Sequence, residues 1–131
     1  MAEHPDITLI KRGYAAFNNA DVATLSEIIA SDAQQHMVGN NVVSGDYKGL
    51  ENILGFYGRL AELTNGTYGV EIESMFTDGA GKVVVVHTQR GERNGKQLTP
   101  RQALIFTVAG GKVVDLHDTT EDLAAEDAFW G

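Results

Sequence analysis

The stretch KVVVVHTQRGER (82–93) decides the fold, and the rest of the chain falls into place around it. It follows Asp78-Gly79 and runs into Asn94-Gly95. Asn-Gly and Asp-Gly between apolar runs mark tight hairpins, because such turns need positive φ. Working outward, VEIESMFT (70–77) precedes it, LTPRQALIFTVA (98–109) follows it, and Gly110-Gly111 leads into KVVDLHDTT (112–120). Together they predict a four-stranded antiparallel meander rich in β-branched and aromatic residues. Val83–Val86 and Ala103–Phe106 do not alternate with polar residues, which predicts cover on both faces of the sheet. The helices lie N-terminal to the meander and suffice for one face. The other face is expected to meet a partner, most simply a second copy of the chain.

Upstream, Pro5-Asp6 opens an amphipathic helix with Ile7, Ile10, Tyr14 and Phe17 on one stripe, ending near Asn18-Asn19. Asp21 caps a second helix whose buried stripe is read as Val22, Leu25, Ile28 and Ile29, ending at Ser31-Asp32. Ala33–Val38 reads as a short strand and Gly39–Gly49 as a loop. LENILGFYGRLAELT (50–64) reads as a third helix, closed by Asn65-Gly66. Gly55 and Gly58 each cost it about 1 kcal/mol relative to alanine, which points to a close approach or to simple tolerance. The order α-α-β-α-β-β-β-β defines an α+β domain.

Composition narrows the function. The 131 residues fit one domain, and the net charge of −8 with scattered basic residues argues against nucleic acid. There is no cysteine, so neither a disulfide framework nor a thiolate metal site can form. No apolar run reaches the roughly 20 residues of a membrane span. MAEHPDITLIKRG lacks a signal-peptide pattern, which leads to a cytoplasmic expectation. Phosphate loops, a G-x-S-x-G nucleophile and a dinucleotide fingerprint are absent.

Two N-terminal helices, a strand bearing His36, a loop Ser44-Gly45-Asp46-Tyr47-Lys48-Gly49 entering a helix, the Gly110-Gly111-Lys112-Val113 turn with Asp115 to Asp118, and the ending Asp127-Ala128-Phe129-Trp130 carry a resemblance. The chain resembles the SnoaL-like branch of the NTF2-like superfamily, a cystatin-like fold that includes polyketide cyclases and ketosteroid isomerases. The resemblance implies a cone, with three helices from the N-terminal half packed on a curved antiparallel sheet around an apolar pocket. It also implies homodimerisation through the outer sheet face. In catalytic relatives a pocket carboxylate or histidine moves a proton beside a carbonyl. The acid-plus-tyrosine set of the ketosteroid isomerases is not evident here.

His36, His87 and His117 lie on three strands and could converge in a curled sheet. Local metal-ligand spacing is missing, so no metal and no cofactor is expected. His117 and Asp118 are adjacent, so only one of them faces the pocket unless a bulge intervenes. Val114, Leu116 and Asp118 form the more apolar set, opposite Val113, Asp115 and His117. A carboxylate ending an apolar stripe gains basicity through desolvation, whereas the alternative for Asp118 is a turn cap. The candidate catalytic set is Asp118, His117 and His36. The candidate ligand-binding set is Tyr14, Phe17, Tyr57, His87, Gln102, Phe106 and Trp130. Phe129-Trp130 is expected to fold back over the pocket mouth or the dimer seam, and Arg101 to pair at the surface. The ligand is expected to be a small apolar organic molecule, with neither nucleic acid nor membrane as partner. It is bound either for acid–base isomerisation or cyclisation, or without reaction.

Overall fold

A computed structural model describes residues 3–131; Met1 and Ala2, the start of the segment read as lacking a leader, lie outside them. The elements are α1 Pro5–Asn18, α2 Val22–Ile28, β1 Ile29–Met37, β2 Gly45–Lys48, α3 Leu50–Leu63, β3 Gly69–Thr77, β4 Lys82–Arg90, β5 Glu92–Arg93, β6 Lys96–Gln97, β7 Gln102–Ala109, β8 Lys112–Thr120 and α4 Leu123–Trp130. Six strands form one curved sheet in the order β2-β1-β8-β7-β4-β3, and β5-β6 forms a separate hairpin tip. Every pairing is antiparallel except β1 with β8. The α+β cone is as expected, with a fourth helix added at the C-terminal end.

The turns do what their residues require. Asn94 (φ 53°) and Gly95 (φ 76°) reverse the β5-β6 tip, and Gly110 (φ 60°) and Gly111 (φ 76°) join β7 to β8. At the β3-β4 corner, Asp78 Oδ1 accepts from the backbone N–H of Ala80 at 2.8 Å and of Lys82 at 3.0 Å.

Between the turns, side chains alternate across the sheet. On β4, Val83, Val85, His87 and Gln89 point inward and are buried, while Val84 and Val86 are half-buried on the outer face. On β7, Gln102, Leu104, Phe106 and Val108 point inward. The valine run therefore lies under helices on one side only. On β8 the register slips where Thr107 faces Asp115 and Val108 faces Val113, leaving Val114 as the extra residue of a bulge. The bulge puts Val113 inside with Leu116 and Asp118, which corrects the expected placement of Val113 outside and Val114 inside.

Several other boundaries differ from expectation. The second helix stops at Ile28, because Ile29 pairs with Val113 of β8 and starts a strand there. Val22, placed on the buried stripe by spacing, is 55% exposed, since a seven-residue helix presents too short a stripe to cover it. The Gly39–Gly49 segment is a loop only to Ser44, after which β2 pairs back on β1. A Cβ at Gly55 or Gly58 would meet nothing within 4 Å, so tolerance rather than close approach explains both. The C-terminal residues form α4, capped by Asp122, whose side chain accepts from the Ala125 N–H at 3.0 Å. Phe129 and Trp130 are each 3% exposed and pack with Val43, Phe56, Leu60 and Leu98, closing one end of the cone. Among the described residues no helix is long and apolar enough to cross a membrane.

Two substitutions test this assignment of faces. Trp130→Ala removes a fully packed aromatic and is expected to destabilise the fold by about 3–5 kcal/mol. Val22→Ala, on exposed helix surface, is expected to change stability by no more than about 0.5 kcal/mol. Urea denaturation of both variants checks the contrast, and equal losses would mean that α4 is not docked as described.

Candidate functional site

Inside the cone, α1, α3 and the inner sheet face enclose a cavity of about 90 Å³. Its wall is apolar except at Tyr14, Gln35, Tyr57, Tyr68, His87 and Gln102. Six of the expected ligand-binding residues meet there: Tyr14, Phe17, Tyr57, His87, Gln102 and Phe106. The seventh, Trp130, lines an adjoining annex of about 20 Å³ together with Asp118, Glu126 and Gln89. Met37, Leu60, Tyr68 and Gln102 border both spaces, so the annex adjoins the cavity.

His87 is 2% exposed and is bonded at both nitrogens. Its Nε2 lies 2.8 Å from Gln102 Oε1, and its Nδ1 lies 2.6 Å from the Tyr14 hydroxyl. An amide oxygen only accepts, so Nε2 carries the hydrogen. Burial lowers the His87 pKa, with the Gln102 hydrogen bond opposing, which favours the neutral ring. Nδ1 then accepts, and the Tyr14 O–H donates. Tyr57 donates to Gln35 Oε1 at 2.8 Å, and Tyr68 to Gln89 Oε1 at 2.8 Å. Burial raises the pKa of Tyr14, Tyr57 and Tyr68, so all three phenols stay protonated.

Asp118 is the exception in this satisfied wall. It is 3% exposed, and its Oδ1 is buried without a hydrogen-bond partner. Burial first, and then the nearby Glu126 charge, raise its pKa from 3.8 to about 7, while the backbone N–H of Val38 pulls the other way. Glu126 is buried too, but its Oε1 accepts from Gln89 Nε2 at 2.6 Å and from the Thr120 hydroxyl at 3.1 Å. Its pKa is raised by burial, against those hydrogen bonds. A carboxyl placed so can exchange a proton near neutral pH.

The expected convergence of three histidines does not occur. His36 and His117 pair in register on β1 and β8 but face outward, because buried Gln35 and Asp118 take the inner positions beside them. His36 bridges Asp46 (2.8 Å) and Asp115 (3.1 Å), and those carboxylates, Asp46 first, raise its pKa. His117 is exposed, with its ring 5.4 Å from that of His36. Both leave the candidate catalytic set, and Asp118 stays. Arg101 pairs at the surface with Glu73 and Glu121. Among the described residues no group of three or more His, Asp or Glu could hold a metal ion. Gln35, Tyr68, Gln89 and Glu126 were not evident from sequence. Of these, Gln35 and Gln89 had a usable signal, since Gln35 shares strand parity with Met37 and Gln89 with His87.

Comparison with known proteins agrees with this geometry. Residues 10–116 match the SnoaL-like domain family. Over 130 residues the chain is 34% identical to the uncharacterized protein Rv0034 of Mycobacterium tuberculosis, covering 99% of each. Bal32a, from a soil-derived mobile gene cassette, superposes with a TM-score of 0.95 at 34% identity, over 97% of both chains. A candidate SnoaL-like polyketide cyclase of Jannaschia sp. CCS1 shares the fold, with a TM-score of 0.80 at 18% identity over 98% of this chain and 94% of that one. The NTF2-like cone expected from the sequence is therefore present.

The burial of Asp118 is testable through stability. Its folded pKa of about 7 lies above the ordinary 3.8, so the fold holds this proton more tightly than the unfolded chain does. That stabilisation is complete below pH 3.8 and is lost as pH rises through 7. Asp118→Asn lacks the titration. Relative to the parent protein, the variant should gain on the order of 2–4 kcal/mol between pH 4 and pH 8. Urea midpoints at the two pH values check this, and a constant difference would place Asp118 in contact with solvent.

Proposed function

The chain belongs to the SnoaL-like domain family, and from that premise we propose that its cavity takes a small, mainly apolar carbonyl compound and moves a proton beside the carbonyl. The observation that carries this reading is the buried Asp118 Oδ1 without a partner, at the only carboxyl of the β8 inner face. As carboxylate, Asp118 takes a proton from the carbon next to the carbonyl. The C–H electron pair moves to the carbonyl oxygen, giving an enolate. The Gln102 amide nitrogen, bordering both cavity and annex, donates a hydrogen bond to that oxygen. The Tyr57 hydrogen is already given to Gln35, which leaves the donor role to Gln102. Returning the proton to a different carbon completes an isomerisation, and attack of the enolate carbon on a second carbonyl closes a ring.

A second reading, ligand binding without reaction, draws on one observation. Tyr14, Tyr57, Tyr68 and His87 are all satisfied by internal partners before any ligand enters, as a passive pocket requires. We propose in addition that the protein acts in the cytoplasm as a homodimer joined across the outer sheet face. Half-buried Val84, Val86 and Ile105, with Phe76 62% exposed, support that choice of face. Sedimentation at micromolar concentration tests it, and a monomer at every concentration would refute it.

The chemistry is tested by exchange of the α-hydrogens of cyclohexanone in D2O, followed by NMR. The rate should rise with pH through about 7, following Asp118. Asp118→Asn should lower it by about 10²–10⁴-fold, the range of a positioned general base. His36→Ala and His117→Ala should leave it unchanged. Equal exchange by Asp118→Asn would remove Asp118 as base, and bound ketone without exchange would select the binding reading.

A further inference from the structure

The hydrogen-bond donors of the cavity wall are spent within the wall itself. Tyr14, Tyr57 and Tyr68 give their hydroxyl hydrogens to His87, Gln35 and Gln89, and His87 gives its one N–H to Gln102. What remains for a ligand is mostly acceptor: phenolic lone pairs and the bare Oδ1 of Asp118. Gln35 gives an Nε2 hydrogen to Met37 Sδ at 3.4 Å, which leaves one amide nitrogen of the wall without a partner among the described residues. Gln102 uses Oε1 on His87, and its Nε2 has no partner among the described residues. Gln102 and Asp118 lie diagonally across β7 and β8, since Gln102 faces Thr120 and Leu104 faces Asp118. Both line the annex.

A pair of this kind, one acceptor beside one donor, matches a hydroxyl group, which carries a single hydrogen and lone pairs on the same atom. A carboxylate or phosphate finds no counterion, since neither Lys nor Arg lines the cavity or the annex. Burying such a charge unpaired is strongly unfavourable. An ammonium brings three N–H groups to a place with one free carboxylate oxygen, because the Glu126 Oε1 beside it is already occupied by Gln89 and Thr120. An ether or a bare hydrocarbon leaves Asp118 Oδ1 as unsatisfied as it is now. At about 90 Å³ the cavity is smaller than the dry cavity of about 150 Å³ that admits benzene, which limits the ligand to no more than one small ring.

We infer that the ligand of this cavity is a neutral, single-ring-sized molecule bearing a hydroxyl group, which donates to Asp118 Oδ1 and accepts from Gln102 Nε2 where cavity and annex meet. This rests on the cavity being the ligand site and names the substrate class for it. In the proposed reaction this hydroxyl is the enol form of the substrate carbonyl, whose oxygen then stands between Asp118 Oδ1 and Gln102 Nε2.

The test is calorimetric binding at pH 8, where Asp118 is ionised, of probes matched in their apolar body: p-cresol, 4-methylanisole, p-toluate and 4-methylbenzylamine. p-Cresol should bind about tenfold or more tightly than 4-methylanisole, the ratio expected for one hydrogen bond to a charged acceptor. p-Toluate should not bind, and the protonated amine should bind more weakly than p-cresol. Asp118→Leu, which keeps the branched shape without an acceptor, should bring p-cresol down to the level of 4-methylanisole. Equal binding of p-cresol and 4-methylanisole by the unaltered protein would overturn the hydroxyl assignment while leaving the cavity as a ligand site. Tightest binding by the amine or the acid would overturn it in favour of a charged ligand. Failure of all four probes would remove the cavity reading and this inference together.

Discussion

An imidazole held in an apolar interior needs a partner at each nitrogen, and much of this structure follows from supplying them to His87. Tyr14 reaches it from α1 and Gln102 from β7, so one buried ring joins a helix and two strands. Each bond adds only about 1 kcal/mol net, but leaving either nitrogen bare would cost about 1–3 kcal/mol. That asymmetry fixes the rotation of α1 about its axis. With Tyr14 turned to the sheet, Ile10 and Phe17 must face the cavity as well. It also fixes the Gln102 amide, whose oxygen is held by the ring while its nitrogen has no partner among the described residues.

The C-terminal helix extends the same logic to the carboxyls. Docking α4 buries Phe129 and Trp130 and carries Glu126 into the interior, where Gln89 and Thr120 satisfy it. The second carboxyl in that space, Asp118, is left without such partners and becomes hard to ionise. The outer face of the same sheet shows the converse. There His36 sits between Asp46 and Asp115 in reach of solvent, and its charged form is favoured. On β8 itself Asp115 faces outward to His36, whereas Asp118 faces inward with a bare Oδ1. Burial without a counterion pushes a group toward neutrality, and exposure beside an opposite charge pushes it toward ionisation.

Much of the fold was legible because its signals are local. Gly-containing turns announce the meander, and the stripes of α1 and α3 announce the helical layer. What escaped notice depends on distant pairing. Ile29 has the same side chain as a helix-stripe residue, and only its parallel partner Val113 makes it a strand residue. Tyr68 and Glu126 look like ordinary polar surface until the sheet curls and α4 closes over them. Six of the seven expected ligand-binding residues do share one cavity, because strand parity and helix periodicity each point their side chains correctly within an element. Neither pattern carries information about which of two adjacent residues on the last strand turns inward.

That choice between His117 and Asp118 is made by pairing with β7. Leu104 and Phe106 must face the apolar interior, and they sit opposite Asp118 and Leu116, which commits those two to the inside. Without a correction, Val113 would then point outward and Val114 inward along an unbroken strand. The bulge at Val114 absorbs one residue, so Val113 also reaches the core, opposite Val108. The apolar ends of β8 are thus both satisfied while a carboxylate is held between them and the annex. Hydrophobic register on a neighbouring strand, rather than any preference of the carboxyl itself, is what forces Asp118 into a place where it is costly to charge.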